Sequence, residues 1–163
     1  MADVKPMVIS RTFDAPRERV WQAWTQVERL QQWFSPKGFA VIAAKMDLRP
    51  GGTYHYGMRT PDGQEMWGLW TFREIKAPER LVLVNSFSDA AGGMTRHPMA
   101  PNWPREMLST STFTEKGGKT TLTLEWLPLN ATPEEIATFE AGRPGMTQGW
   151  TGTMGQLIAY LKG

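Results

Sequence analysis

Apolar residues recur along this chain with two different periods, and the change of period divides it. Val8-Ile9-Ser10-Arg11-Thr12-Phe13 is a β-prone run stopped by Asp14-Ala15-Pro16, where proline suits the first turn of a helix. From Pro16 onward Val20, Trp21, Trp24 and Val27 return at three-to-four spacing, as one helical face requires. Thr25-Gln26-Val27-Glu28 matches a capping box, which predicts a break near Thr25 and a second short helix carrying Leu30, Trp33 and Phe34. Ser35-Pro36-Lys37-Gly38 is expected to end that pair.

Between Phe39 and Trp126 the pattern switches to period two, the mark of an antiparallel meander. The predicted strands are Phe39 to Asp47, Thr53 to Arg59, Glu65 to Ile75, Arg80 to Phe87, Met107 to Thr114 and Lys119 to Leu127. Most connections hold residues that reverse a chain cheaply, such as Arg49-Pro50-Gly51-Gly52 and Thr60-Pro61-Asp62-Gly63. Ser88 to Glu106 is too long for a tight hairpin and keeps Met94, Met99 and Trp103, which predicts a packed loop at the end of the sheet. Thr132-Pro133-Glu134-Glu135 opens a C-terminal helical region with a second capping box, interrupted over Gly142-Arg143-Pro144-Gly145. Beyond the interruption Met146, Trp150, Thr153, Met154, Leu157, Ile158 and Leu161 share one helical face.

An α+β fold follows: one curved antiparallel sheet of about seven strands, wrapped around a long C-terminal helix, with two short helices after the first strand. One domain over residues 1–163 is expected at this length. Alternation then assigns the face toward the helix: Tyr54, Tyr56 and Met58; Met66, Gly68, Trp70 and Phe72; Leu122, Leu124 and Trp126. Two strands break the apolar rule. If Leu81, Leu83 and Phe87 point inward so does Asn85, and if Met107 and Phe113 do so do Ser109 and Ser111. Inward polar groups need partners, because an unsatisfied one costs about 1 to 3 kcal/mol. They bond one another or a trapped water, or they orient a ligand in a cavity.

Composition narrows the function. The 18 basic and 16 acidic residues are scattered, leaving a net charge of +2 and no basic run, so the pI near 9.0 does not point to nucleic acid. With no cysteine there is no disulfide, thiolate nucleophile or Cys-ligated metal. The start of the chain has no apolar stretch of a signal peptide and no run is long enough to span a membrane, so a cytoplasmic location is the expectation. Eight Trp and ten Met supply the bulky or adaptable side chains that line apolar pockets as well as cores.

Catalytic constellations are mostly excluded. His55 and His97 are the only histidines and lie far apart, read as ordinary surface side chains, so no metal is expected. There is no Gly-x-Ser-x-Gly elbow, and Gly51-Gly52 lacks phosphate-loop spacing and reads as a turn. Glu134, Glu135 and Glu140 offset a helix dipole, while Glu65, Glu74 and Glu125 are expected on the solvated face.

Several segments together resemble a known family. They are Ile9-Ser10-Arg11-Thr12-Phe13-Asp14-Ala15-Pro16 with Val20-Trp21 and Trp24, Leu30-Gln31-Gln32-Trp33-Phe34, Asp47-Leu48-Arg49-Pro50-Gly51-Gly52, Met58 to Gly63, Glu74 to Val82, and Gly149-Trp150 through Leu161. In this order the chain resembles the bacterial homologues of the activator of heat-shock protein 90 ATPase. The resemblance implies the Bet v 1-like, START-type helix-grip fold with a cavity between sheet and C-terminal helix. The eukaryotic co-chaperones of that name carry an additional chaperone-binding domain, for which 163 residues are expected to leave no room. The wider superfamily includes lipid carriers, hormone receptors and polyketide cyclases, so the resemblance implies cavity binding and carries over no catalytic residue.

The leading expectation is a protein that binds a small apolar or aromatic molecule, with no cofactor. Its pocket is expected from Tyr54, Tyr56, Trp70, Asn85, Phe87, Ser109, Ser111, Trp126, Trp150 and Met154, with the Ser88 to Glu106 loop near the mouth. The alternatives are a chaperone partner acting through its outer surface and an enzyme of the cyclase or hydratase type using the cavity. A homodimer is left open.

Overall fold

The first strand hands the chain to two helices, and buried hydroxyls and indoles fix the angle. In this computed structural model, which describes residues 4–35, 38–97 and 100–162, β1 (Met7–Phe13) leads through Pro16 into α1 (Arg17–Thr25) and α2 (Val27–Trp33). Thr120 Oγ1 donates to the Ala15 carbonyl at 2.8 Å, and Trp33 Nε1 donates to the Ala23 carbonyl at 3.0 Å. The capping box expected at Thr25 does not form. Its buried hydroxyl donates back to the Trp21 carbonyl at 2.8 Å, and Gln26 starts α2 without a side-chain cap. A hydroxyl in the last turn of a helix reaches the carbonyl four residues before it more readily than the next helix's N–H groups. The break itself falls where it was expected. Pro36 and Lys37 of the expected stop, and Pro98 and Met99 of the long loop, lie outside the described residues.

The period-two region forms β2 (Ala40–Met46), β3 (Thr53–Arg59), β4 (Glu65–Lys76), β5 (Arg80–Ser88), β6 (Met94–Thr95), β7 (Glu106–Lys116) and β8 (Lys119–Leu129). The sheet is antiparallel throughout, in the order β1-β8-β7-β5-β4-β3-β2, and β6 adds a short pairing on β5 inside the long loop. Register decides what faces α4. One row across the inner face is Tyr54, Trp70, Asn85 and Met107; the next is Phe72, Leu83, Ser109 and Trp126. An irregularity in β4 between Phe72 and Glu74 sets Ile75 opposite Leu81, in the row that continues through Ser111 and Leu124.

α3 (Pro133–Ala141) opens with the predicted capping box: Thr132 Oγ1 accepts from the Glu135 N–H at 3.2 Å, and Glu135 Oε1 accepts from the Thr132 N–H at 2.9 Å. The interruption expected across four residues is confined to Gly142, and α4 (Arg143–Lys162) already contains Pro144 and Gly145 in its first turn. Proline is tolerated there because a first-turn N–H has no helical acceptor to lose. α4 lays Met154, Leu157 and Leu161 into a core with Phe13, Trp21, Phe72, Phe113, Leu122 and Leu124. Its main contacts are with β1, α2 and α3, so it leans toward one side of the sheet.

Candidate functional site

Where α4 leans away from β3, β4 and β5, two concavities open and meet. The larger, of about 840 Å³, lies between α4 from Met146 to Ala159 and the inner side chains Tyr56, Met58, Met66 and Phe87, with Phe34 and Phe39 closing one flank. The smaller, of about 370 Å³, runs under the long loop, between Asn85 and Met107 of the sheet, His97, Trp103 and Pro104 of the loop, and Gly145 at the start of α4. Tyr56, Phe87, Trp126 and Met146 belong to both and form the waist. Volumes of this size suit small organic molecules.

Aromatic rings build the walls. Tyr54 and Tyr56 stack with centroids 5.0 Å apart, Phe34 meets Tyr56 and Trp70 edge-on at 5.6 and 5.3 Å, and Trp126 meets Trp150 edge-on at 5.3 Å. Such offset and edge-to-face pairs add stability beyond their buried area, which fixes ring orientation. Gly68 makes one of these placements possible. A Cβ at that position would fall 2.3 Å from Cζ and the hydroxyl oxygen of Tyr56, so the ring lies directly over the β4 backbone. Pressed there, the Tyr56 hydroxyl is pushed up to about 12 by burial, with the Trp70 side chain pulling weakly the other way. Tyr54 is raised as well, again by burial first and by Tyr56 second. Both are neutral phenols at neutral pH.

The helix side of the larger concavity is lined by Gly149, Gly152 and Gly155, and a Cβ added at any of them meets nothing within 4 Å. Gln156 beside them donates to the carbonyls of Trp33 and Ser35, each at 2.7 Å, tying α4 to the end of α2. At the smaller concavity the long loop is held by Arg96, which donates to Glu135 Oε2 at 2.8 Å and to the Pro101 carbonyl at 3.0 Å. The Glu135 carboxyl therefore serves helix and loop together. It is held below the ordinary carboxylate range, first by the Thr132 backbone N–H and then by Arg96. His97 sits 4.6 Å from the Phe87 ring, and burial lowers its pKa from the ordinary 6.5.

The ten residues named from the sequence divide evenly between surface and core. Tyr56, Asn85, Phe87, Trp126 and Trp150 line the concavities. Tyr54, Trp70, Ser109, Ser111 and Met154 are buried beneath or beside them, none more than 5% exposed. Ser109 takes its place by accepting from Trp126 Nε1 at 3.1 Å, so it orients a wall residue. His97, expected to be an ordinary loop histidine, is a lining residue, as are Phe34, Trp103 and the α4 glycines. His55 lies on the opposite face, stacked on Trp67 at 5.2 Å. None of the described residues lining either concavity is Asp, Glu, Lys or Arg. Among the described residues no cluster of His, Asp and Glu could hold a metal ion, and no helix is long and apolar enough to cross a membrane.

Known proteins with this architecture cover nearly the whole chain. The crystal structure of protein Ms6760 from Mycobacterium smegmatis is 26% identical, with a TM-score of 0.77 over 98% of this chain and 96% of that one. The solution structure of a protein from Arthrobacter aurescens is also 26% identical, with a TM-score of 0.80 over 99% of this chain and 90% of that one. An AHSA1 protein of Silicibacter pomeroyi, 20% identical, shares the fold with a TM-score of 0.71 over 96% of this chain and 97% of that one. No curated protein matches. The family model described as "Activator of Hsp90 ATPase homolog 1-like protein" matches residues 14–162, which takes in every helix and all strands but the first. On that match, and with a Bet v 1-like sheet and C-terminal helix, the chain belongs to the activator of Hsp90 ATPase homolog 1-like family.

Proposed function

We propose that this protein binds a small, largely apolar molecule in the space between β3, β4, β5 and α4. The observation that carries the reading is the wall itself. Tyr56, Phe87, Trp126 and Trp150 present aromatic surface to an opening that α4 leaves unfilled with glycine. A folding domain gains about 25 cal/mol for each Å² of apolar surface it removes from water, so leaving such rings uncovered forgoes stability that a ligand restores on binding. The neutral phenol of Tyr56 and the neutral-leaning His97 act as hydrogen-bonding groups, while the uncharged lining favours binding over charge-driven chemistry.

Native mass spectrometry of gently purified protein tests this. The expected result is a mass above that of the chain alone, lost on denaturation and absent from a Gly149→Leu/Gly152→Leu variant, whose new side chains enter the larger concavity. A bare chain mass in every preparation, with no uptake of added naphthalene, would overturn it. The family description favours a second reading, an interaction with a chaperone of the heat-shock protein 90 type. That reading predicts a complex on mixing and a faster chaperone ATPase, and fails if neither is seen.

A further inference from the structure

Asn85 stands out within the smaller concavity. It is half-buried on the inner face between Trp70 and Met107, and none of the hydrogen bonds made by the described residues involves its amide. Ser109, the other inward polar residue with a visible task, accepts from Trp126. A half-buried amide with no protein partner keeps its donor and acceptor available to whatever occupies the concavity, water or ligand. A primary amide offers a carbonyl acceptor and an N–H donor side by side in one plane, so its complement is a group with the same two functions reversed.

The charge of that complement is constrained too. No Asp, Glu, Lys or Arg among the described residues lines either concavity, and burial disfavours the charged form of His97, so an ion would lose its hydration without gaining a fixed counter-charge. Among the described residues the amino end of α4 at Gly145 also faces the smaller concavity and favours anions through its dipole, which makes a carboxylate the sharpest rival.

Building on the ligand-binding reading above, we infer that the ligand is an uncharged ring compound carrying a hydrogen-bond donor and acceptor side by side at one end, the end held by Asn85. Its apolar body lies across the waist between Phe87 and Trp126 and extends toward the α4 glycines. His97, 4.6 Å from Phe87, flanks the polar end and is favoured in its neutral form by burial.

Three probes of one shape separate the possibilities in NMR titrations of the full chain: 2-naphthamide, naphthalene and 2-naphthoate. The expected order has 2-naphthamide about tenfold tighter than naphthalene, the worth of one to two buried hydrogen bonds, with 2-naphthoate weaker than 2-naphthamide. In Asn85→Leu the ratio between 2-naphthamide and naphthalene falls to near one. Asn85→Ala, which removes the amide and keeps no polar side-chain atom, abolishes the ratio as well and decides the matter if the leucine variant does not fold. The inference is overturned if 2-naphthoate binds as tightly as 2-naphthamide, or if the tenfold ratio is missing from the parent or survives in the variants. Binding by none of the three overturns the ligand-binding reading, and this inference with it.

Discussion

The two halves of α4 cover the same sheet in opposite ways. Toward its C-terminus Met154, Leu157 and Leu161 are almost completely buried against Phe13, Phe113, Leu122 and Leu124, and Trp21 meets Phe113 edge-on at 5.3 Å. Toward its N-terminus the helix offers Gly145, Gly149 and Gly152, and Gly155 follows just past Met154, each with open space where a Cβ would be. The sheet is apolar under both halves, with Leu81 and Leu122 at one end and Tyr56 and Phe87 at the other. The sheet is therefore closed where Met154, Leu157 and Leu161 reach it and open along the glycine-bearing side of the helix, where the larger concavity is lined from Met146 to Ala159.

The contrast is broken most severely at the closed end. Leu157→Ala removes a side chain with no exposed surface and should cost about 2 to 5 kcal/mol in urea denaturation. A loss under 1 kcal/mol would mean that this end is not close-packed. Next in size is Gly68→Ala, which forces the Tyr56 ring off the strand and should cost about 1 to 3 kcal/mol. Combining it with Tyr56→Ala should cost less than the sum of the two single changes, since the clash is then gone.

Gly152→Ala tests the open end with the opposite sign. Alanine exceeds glycine in helix propensity by about 1 kcal/mol, and nothing obstructs its methyl group, so the denaturation midpoint should rise. A fall would show that the space is not open. The smallest effect concerns pH. A lowered His97 pKa means that the unfolded chain binds a proton the folded one resists, so stability falls as pH drops below 6.5 toward the lowered value. His97→Gln should flatten thermal melts over that interval. A further loss follows in acid as pH falls below 4.5 through the depressed pKa of Glu135, whose stabilisation is present only while it is ionised.

Particular residues show what could be read in advance. Strand alternation placed Asn85, Ser109 and Ser111 on the inner face because register in a one-sided sheet leaves no other choice. Thr132, Pro133 and Glu135 marked the start of α3 because a capping box is local chemistry. Alternation does not say whether an inward residue meets a helix or a void, so Tyr54 and Trp70 looked no different from Tyr56. Their separation depends on where α4 leans, a non-local result of packing. His97 carried no periodic signal, since loop residues are placed by contacts such as Arg96 with Glu135. One further signal lies in the helix itself. Glycines at 149, 152 and 155 weaken a helix by about 1 kcal/mol each and return on one side of it, a pattern that marks where bulk is left out.

Amide NMR of the labelled chain titrated with naphthalene tests most directly the claim that the open end of the sheet is a ligand site. Shifts should concentrate at Tyr56, Phe87, Trp126, Trp150 and Gly149 through Gly155, with Phe113, Leu122 and Leu157 unmoved. An unchanged spectrum, or shifts centred on the closed end, would contradict it.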